Sequence, residues 1–432
     1  MRKCLVYATC FVALSVPARA QDRIVPSQLT LADALRLAAE RNPTFAAARN
    51  AVEAAEAQRL DATRRPNPAV SVESGSYPAF QQPRPSFFNN QEFTLRFDQE
   101  IELAGRRRLR TQAAEAGIDV ARADAANQLR QLELEVRRAY FQAVLAKADR
   151  EVAQATLKEI DNVVTLNRAR FQSGEISGAE VRRVEVERLR FVDDVFAAEL
   201  ALRNAKSALL AIFNAPNLAE DFDPVEPLVG PGGEGATLVA TVLPATLLNR
   251  GTAQQQALTT RADLQAARSE EVRADTTTRL QRALRTPNIT LGGGYRRDFG
   301  TNAFVFGATI PLPIFNQNQG GVARAEAERR AAANRTAAAV AQVSLEVQQA
   351  LNGLEINRAR VEYIEREYLK RAQESRDIVL ASYRLGTANL IDFLDAQRAF
   401  RDTVRTYNRA LFEQRVSMFQ LQAAVGTPAV RQ

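Results

Sequence analysis

No proline interrupts the chain between Pro313 and Pro428, and across residues 320–425 the composition is dominated by Ala, Glu, Gln, Arg and Leu, all strong helix formers. One heptad phase reads Val340, Val347, Leu354, Val361, Tyr368, and a second reads Val343, Ala350, Asn357, Ile364, Arg371, Ile378. A 3.5-residue period marks a supercoiled seam rather than the stripe of an ordinary globular helix. Only the segment YRLGTANL (residues 383–390) invites a turn, because Gly386 can take the φ > 0 conformation that other residues avoid. The pattern predicts one helix over residues 321–385, about 65 residues and about 98 Å long at 1.5 Å per residue. A shorter helix over residues 391–425 returns along it. Few folds accommodate a hairpin of that length.

The same unit occurs earlier in the chain. Residues 31–64 have a helical pattern broken at Asn42-Pro43, and residues 69–77 then alternate, with Val70, Val72 and Ser74 on one face. After a polar loop (residues 78–91) the segment EFTLRFDQEIEL alternates again, with Phe93, Leu95 and Phe97 on one face and Thr94, Arg96 and Asp98 on the other. A second proline-free run covers residues 106–214. Its heptads read Val136, Ala143, Arg150, Leu157, Val164, Phe171 and Ala139, Ala146, Ala153, Ile160, Asn167. Its turn lies at RFQSGEISGAEV, with Gly174 and Gly178. The second copy comes after a Pro/Gly-rich connector: RNPTFAAAR resembles RADLQAAR, and Pro66-Asn67 returns as Pro287-Asn288, 221 residues on. The four residues ending at Gly174 match those ending at Gly386 at an offset of 212. The expected division is a signal peptide over 1–20, a first repeat over 21–214, a connector over 215–245, a second repeat over 246–426 and a tail over 427–432.

At the amino terminus, Arg2 and Lys3 precede an apolar run, and Ala18-Arg19-Ala20 offers the small residues a signal peptidase reads. Cleavage is expected before Gln21. Acylation at Cys10 is the rival reading, and Tyr7-Ala8-Thr9 fits it poorly. Cys4 and Cys10, the only two cysteines, both lie in the leader, and the chain has no His and no Trp. No later run is apolar enough to span a bilayer as a helix. The charges, 57 basic against 50 acidic residues, nearly balance once the leader is removed, and no reading helix or stacking platform is present, so nucleic acid is not an expected partner.

Segments 69–77, 92–101, 289–296 and 303–310 have about the length of a tilted membrane strand. Four strands cannot close a membrane barrel, and open edges cannot face lipid. Two copies would give eight strands and a filled barrel; three would give twelve and room for a lumen. A conduit therefore favours a trimer. A soluble hairpin packed on other coiled coils, serving as a structural or adhesive protein of the cell envelope, is the competing class.

Catalytic chemistry is not expected. Without His or a mature Cys, Ser-His-Asp and Cys-His sites are impossible. PGGEG (residues 231–235) lacks the Lys-Ser of a phosphate cradle. Pairs such as Glu133/Glu135 and Glu365/Glu367 lie two apart and do not share a helix face. No cofactor is expected, and no tight site for a soft or borderline metal.

Three stretches carry a resemblance: QEIELAGRRRLRTQAAEAG (99–117), ATIPLPIFNQNQGGVARAEAE (308–328) and YRLGTANLIDFLDAQ (383–397). On these the chain resembles the TolC-type outer-membrane factors, and within them the CzcC-like branch of heavy-metal efflux systems. The resemblance covers essentially the whole mature chain. It implies a mainly α fold with a small β part: a long antiparallel coiled-coil α-barrel in the periplasm, and a transmembrane β-barrel with four strands per chain and twelve in a homotrimer. It implies an exit duct in the outer membrane of a Gram-negative bacterium, in contact with outer-membrane lipid. A periplasmic adaptor and a proton-driven inner-membrane RND-type pump would be its partners, and divalent metal cations its cargo; ducts for drugs or secreted proteins share the architecture. The chain departs from the family at Ala388, where the inner turn can hold an Arg, and at Arg183, which stands where the second copy has Asp395.

The turns at residues 171–180 and 383–392, with Gly174, Gly178, Gly386 and Leu390, are the expected adaptor-docking sites. Asp392 and Asp395 stand three apart at the start of the return helix, where negative charge suits the helix dipole. In a trimer they would form two stacked rings at a periplasmic aperture, with Tyr383, Glu180 and Arg183 around it. Capping the helix and pairing within the coiled coil are equally open roles for them. Arg182 and Arg183 are the expected counter-charges.

Overall fold

The computed structural model describes residues 24–75, 92–229, 244–298 and 300–426. The expected leader, the loop over 78–91, the glycine-rich stretch over 231–235 and the tail over 427–432 lie outside the described residues. The elements run β1 (Gln28–Leu29), α1 (Leu31–Arg41), α2 (Pro43–Thr63), β2 (Ala69–Gly75), β3 (Glu92–Ile101), α3 (Arg106–Gln172), α4 (Gly178–Ile212) and β4 (Asp223–Pro224). After a 3₁₀ turn at Ala245–Leu248 come α5 (Arg250–Thr260), α6 (Ala262–Ala283), β5 (Ile289–Asp298), β6 (Thr301–Thr309) and α7 (Gln319–Tyr363). A π-helical stretch, Ile364–Leu369, joins α7 to α8 (Lys370–Arg384), and α9 (Leu390–Val425) ends the described chain. The described residues are mainly helical, with a four-stranded sheet and a short parallel pairing of β1 with β4.

Helix α3 alone has 67 residues, about 100 Å of helix. The second long helix differs from the expected uninterrupted α-helix. Its π-helical stretch inserts an extra residue into the winding, and one extra residue rotates all later positions by about 100°. Accordingly Val343, Val347, Ala350, Leu354, Val361 and Ile364 are buried, whereas the later seam positions Tyr368, Arg371 and Ile378 are exposed. Tyr363 and Tyr368, in edge contact at 5.4 Å, flank the widened turn on its outer side.

Local chemistry sets the shorter breaks. Asn42 caps α2 by accepting from the amides of Thr44 (3.0 Å) and Phe45 (3.1 Å), with Pro43 at the first helical position. Its Nδ2 also donates to the carbonyl of Ile212 (2.9 Å), so the kink between α1 and α2 receives the end of α4. The kink between α5 and α6 receives the end of α9 in the same way. Arg261, 1% exposed, donates to the carbonyl of Ala424 (3.1 Å) and pairs with Glu346 (2.7 Å) and with Asp263. Arg130 takes the carbonyl of Ala423 (3.0 Å) and Thr260 that of Val425 (2.6 Å). The last carbonyls of a helix have no intrahelical partner; here side chains of other elements supply them.

Apolar burial is spread along the length. A middle core joins Leu29, Leu37, Val136, Tyr140, Phe141, Phe213, Phe222, Leu411 and Phe419. A second, towards the sheet end, joins Ala253, Leu264, Val343, Leu354 and Leu421. A third occupies the hairpin tips.

The sheet is antiparallel, ordered β2-β3-β5-β6. Its central pairing, β3 with β5, joins segments about 190 residues apart and runs from Phe93 opposite Arg297 to Ile101 opposite Ile289. The register sorts side chains by face. Val70, Val72, Leu95, Phe97, Leu291, Tyr295, Phe304 and Phe306 share one face; Phe304 is 80% and Phe306 87% exposed. Ser71, Glu73, Thr94, Arg96, Asp98, Thr290 and Arg296 share the other. Among the described residues, the outer edges of β2 and β6 have no further strand partner. No described helix is long and apolar enough to cross a membrane.

Candidate functional site at the hairpin tips

The two hairpins, α3–α4 and α8–α9, end side by side. Each long helix stops at a glycine in the left-handed region, Gly174 at φ 81° and Gly386 at φ 79°. At the first turn the amide of Glu175 bonds the carbonyl of Arg170 (2.8 Å), and at the second that of Thr387 bonds Ser382 (2.9 Å). These are the six-to-one bonds of a glycine-terminated helix. A Cβ added at either glycine would meet nothing within 4 Å, so backbone conformation, not space, demands glycine there. Gly178 is different: the Phe171 ring packs on it, 3.4 Å from where a Cβ would stand. Each return helix starts with a side-chain cap, Ser177 Oγ accepting from the amide of Glu180 (3.4 Å) and Asn389 Oδ1 from that of Asp392 (2.9 Å).

Between the hairpins lies an apolar cluster of Ile160, Val163, Val164, Val184, Phe191, Tyr383, Leu390, Phe393 and Leu394. Tyr383 is 5% exposed and stacks on Phe393, with ring centroids 5.4 Å apart. Its hydroxyl donates to Asn167 Oδ1 at 2.6 Å, and burial pushes its phenol above the usual tyrosine range. Arg170 lies 5.6 Å from the centre of the Tyr383 ring and donates to the carbonyls of Tyr383 (3.3 Å) and Arg384 (2.7 Å). A cation from the first hairpin therefore caps the carboxyl end of α8 in the second. Deeper in, Arg398 pairs with Glu187 and Arg401 with Asp194, tying α9 to α4.

The expected site residues divide into two sets. Tyr383 and Leu390 are inside the cluster. Glu180, Arg183, Asp392 and Asp395 are exposed, opposite the buried positions Val181, Val184, Phe393 and Leu394. Asp395 pairs with Arg398 one turn along its own helix (3.2 Å). Asn389 rather than Asp392 caps α9. Arg182 and Arg183 make no ion pair among the described residues; Arg398, Arg401 and, at 3.9 Å from Glu159, Arg384 supply the charge contacts between the hairpins. Asn167, Arg170, Glu187 and Asp194 were not singled out as tip residues by the sequence. A polar Asn at a seam position was the one available signal, and its partner is 216 residues away. No group of three or more potential metal ligands occurs among the described residues.

Comparison with known proteins agrees with this architecture. A family model described as outer membrane efflux protein matches residues 34–215 and 253–427. The chain is 26% identical over 372 residues to the cobalt-zinc-cadmium resistance protein CzcC of Cupriavidus metallidurans, covering 86% of this chain and 83% of that one. It is 24% identical over 318 residues to the outer membrane protein TolC of Vibrio cholerae, 68% of each chain. In fold it matches a crystal structure of CusC with a TM-score of 0.74, at 19% identity and over 92% of each chain. With both of its halves matched, the chain belongs to the outer membrane efflux protein family.

Proposed function

We propose that three copies of this chain form the outer-membrane exit duct of a tripartite, proton-driven efflux system for divalent metal cations. The observation that carries this reading is the sheet. It has one mainly apolar face, with Gln99 and Arg297 towards its two ends, one polar face, and two open edges, β2 and β6. Open edges are not tolerated in lipid, and four strands do not close. Neighbouring copies supply the missing pairings, giving twelve strands, apolar side outwards. Below the sheet, Val186, Leu189, Phe196 and Leu200 form an exposed apolar stripe on α4, as Ile356, Tyr363 and Ile378 do on the second long helix. Such stripes suit packing against adjacent copies around a helical tunnel.

The division into two repeats over 21–214 and 246–426 fits this plan, each repeat contributing two strands and one hairpin. The hairpin tips form the periplasmic aperture, with Asp392 and Asp395 as exposed carboxylate rings and Glu180, Arg183 and Tyr383 around them. The turns at Gly174, Gly178, Gly386 and Leu390 receive a periplasmic adaptor, which links the duct to an inner-membrane RND-type pump. The cargo assignment rests on the likeness to CzcC; the pump selects what enters.

Deleting the chain from its host should lower tolerance to cobalt, zinc or cadmium, with the protein recovered in the outer-membrane fraction of the parent. Unchanged tolerance to all three metals would remove the metal cargo. Recovery as a soluble periplasmic protein would remove the duct.

A further inference from the structure

The polar face of the sheet carries five acidic side chains, Glu73, Glu92, Asp98, Glu100 and Asp298, and two cations, Arg96 and Arg296. Arg296 pairs with Glu92 and with Asp298 (3.2 Å). Arg96 is held differently. Its Nε donates to Asp98 Oδ1 at 2.8 Å, two residues along the same strand and on the same face. The rest of the guanidinium runs sideways over β5 and reaches β6. A Cβ on Gly292 would stand 2.0 Å from Asp98 Oδ1 and 2.8 Å from Arg96 Nη2, and a Cβ on Gly307 would stand 3.0 Å from Arg96 Nη2. Gly307 lies two strands from β3, about 10 Å at normal strand spacing. The ion pair therefore lies flush with the sheet, in space that side chains at 292 and 307 would fill.

We propose that Arg96 determines the charge selectivity of the membrane section of the duct, and that Gly292 and Gly307 keep its guanidinium flat against the wall beside Asp98. This rests on the reading of the polar face as the lumen. Pressed to the wall and neutralised by Asp98, the three guanidiniums of a trimer leave a net acidic lining, which concentrates cations. Lifted off the wall, they would form a positive ring in the passage and oppose a divalent cation. Gly294 has another cause: a Cβ there would stand 2.3 Å from the carbonyl oxygen of Leu95, so close backbone approach, not Arg96, requires it.

The test uses the full-length chain with Cys4 and Cys10, its only two cysteines, replaced by serine. Ser71, opposite Arg96 on the same face, becomes the reporter through Ser71→Cys. Intact cells are treated from outside with a cationic or an anionic methanethiosulfonate, and the two modification rates are compared. The cationic reagent should react faster in the parent. Gly307→Val should shift the ratio towards the anionic reagent, Gly307→Ala should shift it the same way by less, and adding Arg96→Gln should cancel the shift. A ratio that moves equally with and without Arg96, or does not move, overturns the inference and leaves the duct intact. A Ser71→Cys reporter that neither reagent reaches, while Val72→Cys is modified, overturns the lumen assignment and the inference with it.

Discussion

The Tyr383 hydroxyl and Asn167 Oδ1 are 2.6 Å apart, joining the last turn of α8 to the end of α3 inside an apolar cluster. This is the one side-chain hydrogen bond buried between the two hairpin tips, among the described residues. Tyr383→Phe keeps the ring on Phe393 and removes only the bond, a net loss of about 1 kcal/mol plus the unpaired Asn167 acceptor. The tips should part more readily. Conductance of the resting duct in a planar bilayer should rise, with thermal stability of the particle nearly unchanged. Unaltered conductance would mean that this contact does not hold the aperture.

Charge holds the next layer. Arg398 and Glu187 pair across the hairpins, with side chains 34% and 16% exposed. Arg398→Glu places like charges together and should raise resting conductance, more at low ionic strength than at high, because salt screens exposed pairs. Glu187→Arg added to Arg398→Glu restores opposite charges and should bring conductance back towards the parent. Failure of the swap to rescue would assign the effect of the single variant to lost packing.

Gly386 holds its turn in the left-handed region with open space where a Cβ would stand. Gly386→Val should therefore act through backbone strain, about 1–2 kcal/mol, concentrated at the turn proposed to receive the adaptor. Metal efflux should be lost while the amount of protein in the outer membrane stays the same. Gly386→Asn, a residue that tolerates this conformation, should retain most efflux. Full activity in Gly386→Val would remove the turn from the docking surface.

Much of this fold was legible because its periods are local. Alternation placed β3 at 92–101, and its two faces are those the register displays. Asn42-Pro43 marked the α1–α2 break, and Gly174 and Gly386 marked the turns. The π-helical stretch at Ile364–Leu369 was not legible, since one extra residue in a winding leaves the surrounding composition unchanged. The pairing of β3 with β5 and the contacts Asn167–Tyr383, Glu187–Arg398 and Asp194–Arg401 were not legible either. Each depends on how segments about 200 residues apart pack, and nothing in the local spacing encodes the partner.

Asp392 and Asp395 are exposed on α9, with Asn389 already capping the helix. Helix capping therefore places little demand on Asp392. Asp392→Ala with Asp395→Ala should leave folding and membrane level unchanged. Cation selectivity set at the aperture and block by divalent ions from the periplasmic side should fall together, leaving only the weaker preference of the barrel lining. A parent-like current–voltage curve would place these carboxylates away from the pore.

Three copies closing one barrel is the claim on which the rest depends, and the mass of the detergent-extracted particle tests it most directly. Light scattering with the detergent contribution subtracted should give three chains per particle, and the particle should resist dissociation in cold detergent and fall to single chains on heating. A folded particle of one or two chains, stable in the same detergent, would contradict the twelve-stranded duct.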